Sequence, residues 1–175
     1  MRPRPEPVDI AAIRFWSPVE VRYSDLDAQG HVNNAVYFTY FEQARVAFIH
    51  ALHLRGLAAQ QGWREGHAPQ LQTAQASDMA FVIVSADCVY RRPISALAPV
   101  VVGVYEARRT HTTMELRYTV CSMDRTVVYA TGSTLVASVD LASGRPRALP
   151  EWPRWELEEL PEDKAPLGEV PHGMS

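Results

Sequence analysis

This 175-residue chain lacks the features that mark several large classes of protein. It has only two cysteines, Cys88 and Cys121, which lie far apart inside apolar runs. Buried free thiols in a reducing cytoplasm are therefore favoured over a disulfide. No apolar run approaches the roughly 20 residues of a membrane helix, and the opening residues MRPRPEPVD lack a secretory signal's apolar core. We expect a cytoplasmic protein with no membrane partner, built as one domain.

An excess of positive charge is also missing. The formal net charge is −3 and the isoelectric point is near 6.1, which argues against a nucleic-acid partner. The glycine patterns of dinucleotide-binding and P-loop proteins are absent, and so is the G-x-S-x-G pattern of serine hydrolases. His50 and His53 are three residues apart, but no further ligand lies nearby at metal-binding spacing. We therefore expect no metal and no nucleotide or redox cofactor.

What the chain does contain is a clear order of hydrophobic patterns. The run VEVRY, which begins after Pro18, alternates as a strand does, and residues Ala35 to about Leu54 show helical spacing. Asn33 or Asn34 is a plausible cap at the start of that helix, and Gly56 is a plausible stop. Four strand-like runs follow, separated by short turns: Ala80–Tyr90, Val100–Arg109, Thr112–Cys121 and Val127–Val139.

This order predicts an α+β fold in which one long helix lies across the concave face of a single curved antiparallel sheet of about five strands. We divide the chain into an extended arm over residues 1–17, a domain over 18–140 and a Pro- and Glu-rich tail over 141–175. In that tail, Trp152 and Trp155 are large apolar side chains that we expect to pack on the domain.

The most informative stretch is YSDLDAQGHVNN, residues 23–34, directly before the helix. The first backbone N–H groups of a helix have no intrahelical partner, so they can polarise a carbonyl or hold an oxyanion. A carboxylate just upstream, such as Asp27, can activate water or attack a carbonyl itself. Asp27 and Asn34 therefore suit hydrolysis of an activated ester. A purely local role in an Asx-turn and an N-cap is an equally open alternative, because Asp and Asn favour turns.

The stretch resembles the 4-hydroxybenzoyl-CoA thioesterase family of acyl-CoA thioesterases, which have the hotdog fold. The family pattern of an aromatic residue, D-x-D-x-x-G, an asparagine and a helix ending in E-x-A-R is matched by residues 23–30, 31–34 and 41–45. The step Tyr90-Arg91-Arg92-Pro93 between two later strands is also similar. The resemblance covers roughly residues 18–140.

The resemblance implies a role for each matching residue. Asp27 is the catalytic carboxylate, and the backbone amide of Asn34 polarises the thioester carbonyl. Asp25 corresponds to an aspartate whose role is mainly structural. His31 either hydrogen-bonds the substrate or caps the turn. Glu42 matches an acid that is catalytic in a related hotdog group, so it is a secondary candidate here.

Other residues are candidates for binding substrate. Asn33 and Tyr37 lie beside the proposed catalytic pair, and the aromatic face of the helix forms either core or part of an acyl pocket. Four arginines at strand ends could meet the phosphates of coenzyme A. They are Arg91, Arg92, Arg108 and Arg109, of which Arg91 and Arg92 are the preferred pair.

Together these features predict a thioesterase that hydrolyses an acyl-CoA to a carboxylic acid and free coenzyme A, without a cofactor. One alternative is a non-catalytic hotdog module that binds acyl-CoA or acyl carrier protein, and another is a thioesterase for a carrier-bound acyl chain. An exposed sheet edge further predicts a homodimer, or a tetramer, because such edges are normally paired or covered.

Overall fold

The structure is a computed structural model that describes residues 10–61, 79–95, 97–152 and 154. Its elements are strand β1 (Phe15–Val19), helix α1 (Val36–Gln61) and strands β2 (Met79–Tyr90), β3 (Val100–Arg109), β4 (Thr113–Ser122) and β5 (Val128–Asp140). Short 3₁₀ turns occupy Ile10–Ala12 and Tyr23–Asp25. The strands form one antiparallel sheet in the order β1-β3-β4-β5-β2. The predicted α+β arrangement of one helix on a five-stranded sheet is confirmed.

The core lies between one face of α1 and the sheet. Alternate residues of β5 are buried, as expected for a strand with one covered face, whereas β4 alternates only up to Tyr118 and is then buried continuously to Cys121. Phe41 stacks on Tyr118 with ring centroids 4.6 Å apart. Gly132 of β5 makes this possible, since a Cβ there would lie 2.6 Å from the Phe41 ring. The buried helix residues repeat with helical spacing: Tyr37, Tyr40, Phe41, Ala44, Phe48 and Leu52.

The first strand begins earlier than predicted. Val19 and Val21 are both buried, so the alternation in VEVRY reflects real burial. The pairing with β3, however, runs from Phe15 to Val19 and ends where β3 begins at Val100. In this register β3 offers no partner beyond Val19, which explains why the strand stops there. The sheet therefore starts within the segment 1–17 that we interpret from sequence as an arm.

The helix is longer than predicted, because Gly56 does not end it. Helix α1 continues to Gln61. A Cβ at residue 56 would lie 2.8 Å from the side chain of Trp152, so glycine here serves close packing instead of helix termination. The sequence signal for a stop was overridden by a tertiary contact.

The C-terminal segment packs over this end of α1. The Trp152 ring approaches the rings of Phe81 and His53, with centroids 5.7 and 6.1 Å away. The Glu106 carboxylate, 3% exposed, receives two hydrogen bonds from Arg109, which also donates to the carbonyl of Trp152. The predicted packing of Trp152 is confirmed, whereas Trp155 lies outside the described residues.

Among the described residues, strand β2 forms one edge of the sheet and pairs with β5. Its consecutive residues Val82, Ile83 and Val84 are 42%, 44% and 58% exposed. The strand is irregular between Ile83 and Ser85, where the register with β5 shifts. In the described part of the chain, no helix has both the length and the apolar character needed to cross a membrane.

Candidate active site

Asp27 organises the turn that leads into α1. Its Oδ1 accepts hydrogen bonds from the backbone N–H groups of Gln29 (2.8 Å) and His31 (3.3 Å). The backbone of Asp27 also pairs with that of His31, and Gly30 takes the positive φ of 76° that closes the turn. The local Asx-turn is therefore present. Among the described residues no donor contacts Oδ2, so one carboxylate oxygen is left for other chemistry.

The start of the helix is capped by Asn33. Its Oδ1 accepts a hydrogen bond from the N–H of Ala35 (2.9 Å), and its carbonyl accepts from Val36 (3.0 Å). The backbone N–H of Asn33 donates to the carbonyl of Asp25. Within the parts of the chain that the structure describes, the N–H of Asn34 has no acceptor. The residue next to the cap thus retains an unused donor at the positive end of the helix dipole.

An open cavity of about 410 Å³ lies at this turn. Its volume falls within the roughly 300–1,000 Å³ typical of small-molecule sites. Six of the sequence candidates contribute to its wall, together with residues of the β2–β3 connection. The lining residues are Asp27, Gln29, His31, Val32, Asn34, Tyr37, Tyr90, Arg91, Arg92 and Pro93.

Backbone pairing places the two arginines at the rim. The N–H groups of Arg91 and Arg92 both donate to the carbonyl of Tyr129, at 2.8 and 3.1 Å. This pairing turns the chain at the end of β2 and leaves both side chains exposed. The connection after the arginines is also held in place, because the carbonyl of Ile94 accepts a hydrogen bond from the backbone N–H of Val32 (2.9 Å). Two exposed cations therefore border the cavity that also holds Asp27.

Tyr37 forms the inner wall of the cavity. Its side chain is 2% exposed and hydrogen-bonds the backbone of Ile94. Burial is the main cause that raises the pKa of Tyr37 to about 12, so the hydroxyl stays protonated at neutral pH. Tyr37 therefore supplies a neutral surface to the cavity and no negative charge.

Asp25 has the structural role that the resemblance implies. It is 2% exposed and is held by the backbone and side chain of Arg22 and by the hydroxyl of Tyr40 (2.9 Å). Burial by itself would raise its pKa, but the hydrogen bonds from Arg22 and Tyr40 outweigh that effect and lower it. The carboxylate stays charged and pins the 23–25 turn to α1.

Five sequence candidates do not line the cavity: Asp25, Asn33, Glu42, Arg108 and Arg109. Asn33 caps the helix, and Glu42 lies on an exposed part of α1. Arg109 is committed to Glu106 and to the C-terminal segment, so the suggestion that it meets coenzyme A phosphates is wrong. Among the described residues, no group of three His, Cys, Asp or Glu side chains is placed to hold a metal ion.

Tyr90 is not among the candidates predicted from the sequence, although it lines the cavity. Its hydroxyl donates to the carbonyl of Asn34 at 2.8 Å, across 56 positions of sequence. Only the position of Tyr90 next to the Arg91-Arg92-Pro93 step could have drawn attention to it.

Comparisons with known proteins agree with this architecture. The family model of the Thioesterase-like superfamily matches residues 21–160. The PA5185 protein of Pseudomonas aeruginosa has a similar structure, with a TM-score of 0.65 and 24% identity over 80% of this chain and 86% of that one. The SAV2348 protein of Staphylococcus aureus, solved in complex with CoA, gives a TM-score of 0.63 at 15% identity over 82% of each chain.

A curated sequence relative is similar over a shorter region. It is the uncharacterized protein YsmA of Bacillus subtilis, which is 40% identical over 40 residues. That match spans 23% of this chain and only 27% of YsmA. The family match, by contrast, covers most of the sequence and includes the whole cavity wall. The chain belongs to the Thioesterase-like superfamily and has the hotdog fold predicted from its sequence.

Proposed function

We propose that this protein hydrolyses an acyl-CoA thioester to a carboxylic acid and free coenzyme A. One observation carries the proposal: Asp27, with an unused carboxylate oxygen, lines the same cavity as Asn34, with an unused backbone N–H. A base and an oxyanion donor are the two groups that thioester hydrolysis requires.

Asp27 acts as the base or as the nucleophile. As a base, Oδ2 takes a proton from water while the water oxygen attacks the thioester carbonyl carbon. As a nucleophile, Oδ2 attacks that carbon itself, and water then cleaves the resulting anhydride. In the base course the thiolate leaves when the tetrahedral intermediate collapses, and in the nucleophilic course it leaves as the anhydride forms, before water releases the acid and restores Asp27. In both courses the thiolate leaves readily enough to need little acid assistance. Oδ1 remains in the turn throughout, because it already accepts from Gln29.

The backbone N–H of Asn34 stabilises the charge that develops on the carbonyl oxygen. A helix begins just after it, so the partial positive charge of the helix N-terminus adds to the effect. Preorganised donors of this kind contribute on the order of 10²–10³-fold to turnover. His31, at the same cavity, is placed to hydrogen-bond the substrate beside the reacting group.

Arg91 and Arg92 bind the anionic phosphates of coenzyme A. Their exposed side chains at the cavity rim suit a ligand whose phosphates remain in water while its thioester enters the cavity. The SAV2348 protein, which shares the fold, was solved with CoA, and this supports CoA as the thiol carrier. The same arginines would also accept the phosphopantetheine of an acyl carrier protein, so the carrier must be tested directly.

The reaction that we propose uses Asp27, the Asn34 amide and water, and no cofactor. The free thiols of Cys88 and Cys121 suit a reducing cytoplasm. Prolonged incubation with EDTA should leave turnover unchanged, and a loss restored by added metal would contradict this part of the proposal.

We also propose that the protein is a homodimer joined along the edge strand β2. Such dimers can assemble further into a tetramer. The exposed residues Val82, Ile83 and Val84 form an apolar edge that aqueous proteins normally cover. Light scattering at micromolar concentration should give twice the monomer mass. Val84→Lys should shift the mass towards the monomer, and a wild-type monomer would contradict the proposal.

A hydrolysis panel tests the function itself. Short, long and aromatic acyl-CoAs, and matching acyl carrier thioesters, are offered while free thiol is measured. We expect hydrolysis of at least one acyl-CoA well above the rate without enzyme. The alternative is the binding module, and it predicts that an acyl-CoA binds by calorimetry while no thiol is released.

A further inference from the structure

Tyr90 connects the edge strand β2 to the beginning of α1. It is the last residue of β2, and its hydroxyl donates a 2.8 Å hydrogen bond to the carbonyl of Asn34. Its ring packs edge-on against Tyr37, with centroids 5.1 Å apart. The hydroxyl of Tyr90 thus contacts Asn34, two residues before the helix begins, and its ring contacts the first helical turn at Tyr37.

The contact fixes the part of the backbone that the proposed chemistry uses. Asn33 restrains the peptide on one side, because its Oδ1 holds the N–H of Ala35. Tyr90 restrains the carbonyl of Asn34 in the same peptide unit, the one that joins residues 34 and 35. The N–H of Asn34 belongs to the neighbouring peptide unit, which joins residues 33 and 34 and is held by the hydrogen bond from Val36 to the Asn33 carbonyl (3.0 Å). Because the units on both sides of the Asn34 Cα are held, rotation about its φ and ψ is restricted and the N–H keeps its direction.

We propose that Tyr90 is a positioning residue that orients the Asn34 backbone N–H towards the substrate carbonyl through its hydrogen bond to the Asn34 carbonyl. The inference rests on the proposed thioesterase function. It assigns Tyr90 an indirect role, since the hydroxyl is already engaged by the protein. Burial raises the pKa of Tyr90, so the hydroxyl remains a donor at neutral pH.

The geometry explains why a tyrosine suits the end of this strand. A phenylalanine would keep the ring contact with Tyr37 and lose only the hydroxyl. Tyr90→Phe is therefore a matched change for the hydroxyl, which also contacts the thiol of Cys88. Tyr105→Phe is the control, because the Tyr105 hydroxyl bonds to Arg117 instead of to the helix.

The test combines steady-state kinetics with an amide measurement that needs no substrate. We expect Tyr90→Phe to lower kcat about 3- to 10-fold with KM nearly unchanged, the size expected when one positioning hydrogen bond is lost. Tyr105→Phe should leave kcat unchanged. In the ¹H–¹⁵N spectrum of uniformly labelled protein, Tyr90→Phe should shift the Asn34 amide signal.

A double-mutant cycle then asks whether Tyr90 acts through that N–H. Asn34→Pro removes the N–H, so Tyr90→Phe in this background should change kcat less than about 2-fold. An unchanged Asn34 amide signal would overturn the inference, and so would a full kcat effect that persists in the Asn34→Pro background, or a rise in KM alone. The amide signal is read without turnover, so it tests Tyr90 even if the thioester panel shows no hydrolysis.

Discussion

Just before α1, Asn34 presents a backbone N–H that no described residue accepts, beside an open cavity, whereas Trp152 packs on the helix further along, at His53 and Gly56. The carboxylates of Asp27 and Glu106 differ in the same way. Asp27 keeps one oxygen without a donor among the described residues, while Glu106 is buried and has both oxygens bonded by Arg109. Polar groups near the start of α1, where the chemistry is proposed, therefore keep unused hydrogen-bonding capacity. Those beside the C-terminal segment have their hydrogen bonds satisfied within the protein.

The largest expected effect comes from opening the closed end. Trp152→Ala removes a ring that contacts Gly56, Phe81 and His53. Because the ring is only partly buried, we expect a loss of about 2–4 kcal/mol in the free energy of unfolding. Chemical denaturation measures this loss. Turnover per folded molecule should not change well below the melting temperature, and a parallel loss of kcat would show that the two ends are not independent.

A smaller effect is expected from Asp25, which anchors the open end without lining the cavity. Asp25→Asn removes a charge that Arg22 and Tyr40 hydrogen-bond, at a cost of about 1–3 kcal/mol at neutral pH. The pKa of Asp25 in the folded state lies below its ordinary value of 3.8. The carboxylate therefore stabilises the fold fully above that value, and its contribution disappears as pH falls through the folded pKa.

Denaturation of wild type and Asp25→Asn across the pH range measures this dependence. The stability difference between them should be constant above about pH 5 and shrink in acid. A difference that grows on acidification would contradict the assigned role of Asp25.

The smallest expected effect on stability is at Gly56, where helix propensity and steric contact with Trp152 act in opposite directions. Alanine is favoured over glycine inside a helix by about 1 kcal/mol. Its Cβ would, however, lie 2.8 Å from the Trp152 side chain, which must then move. We expect Gly56→Ala to change stability by less than about 1 kcal/mol in wild type and to stabilise the Trp152→Ala variant by about that amount. Equal effects in both backgrounds would show that Trp152 does not restrict this position.

The sequence predicted the later strands closely, because alternation and turn residues are local signals. The predicted run Val100–Arg109 matches β3 at both ends, and the predicted Ala80–Tyr90 misses only the first residue of β2. The predictions from sequence were wrong where tertiary contacts determine the structure. Gly56 has the local signature of a helix stop, but its function is to admit Trp152, which is 96 positions away in the chain.

The candidate site shows the same division. Asp27, His31 and Asn34 lie within one short turn, so their shared cavity follows from local sequence. Tyr90 reaches Asn34 only because the end of β2 lies beside the start of α1, and no local pattern encodes that approach. Residues of one segment were therefore predicted together. Of those that the end of β2 brings to the cavity, Arg91 and Arg92 were proposed as phosphate-binding cations, whereas Tyr90 was not proposed.

The central claim is that the free oxygen of Asp27 takes part in the chemistry, and Asp27→Asn tests it most directly. Asparagine keeps Oδ1 in the turn with Gln29, but it places an amide N–H₂ where Oδ2 was. We predict an unchanged melting temperature, KM close to that of wild type and a kcat lower by at least about 100-fold for the best acyl-CoA of the panel. Turnover above about a tenth of wild type would contradict the account, because Asp27 would then serve only the turn.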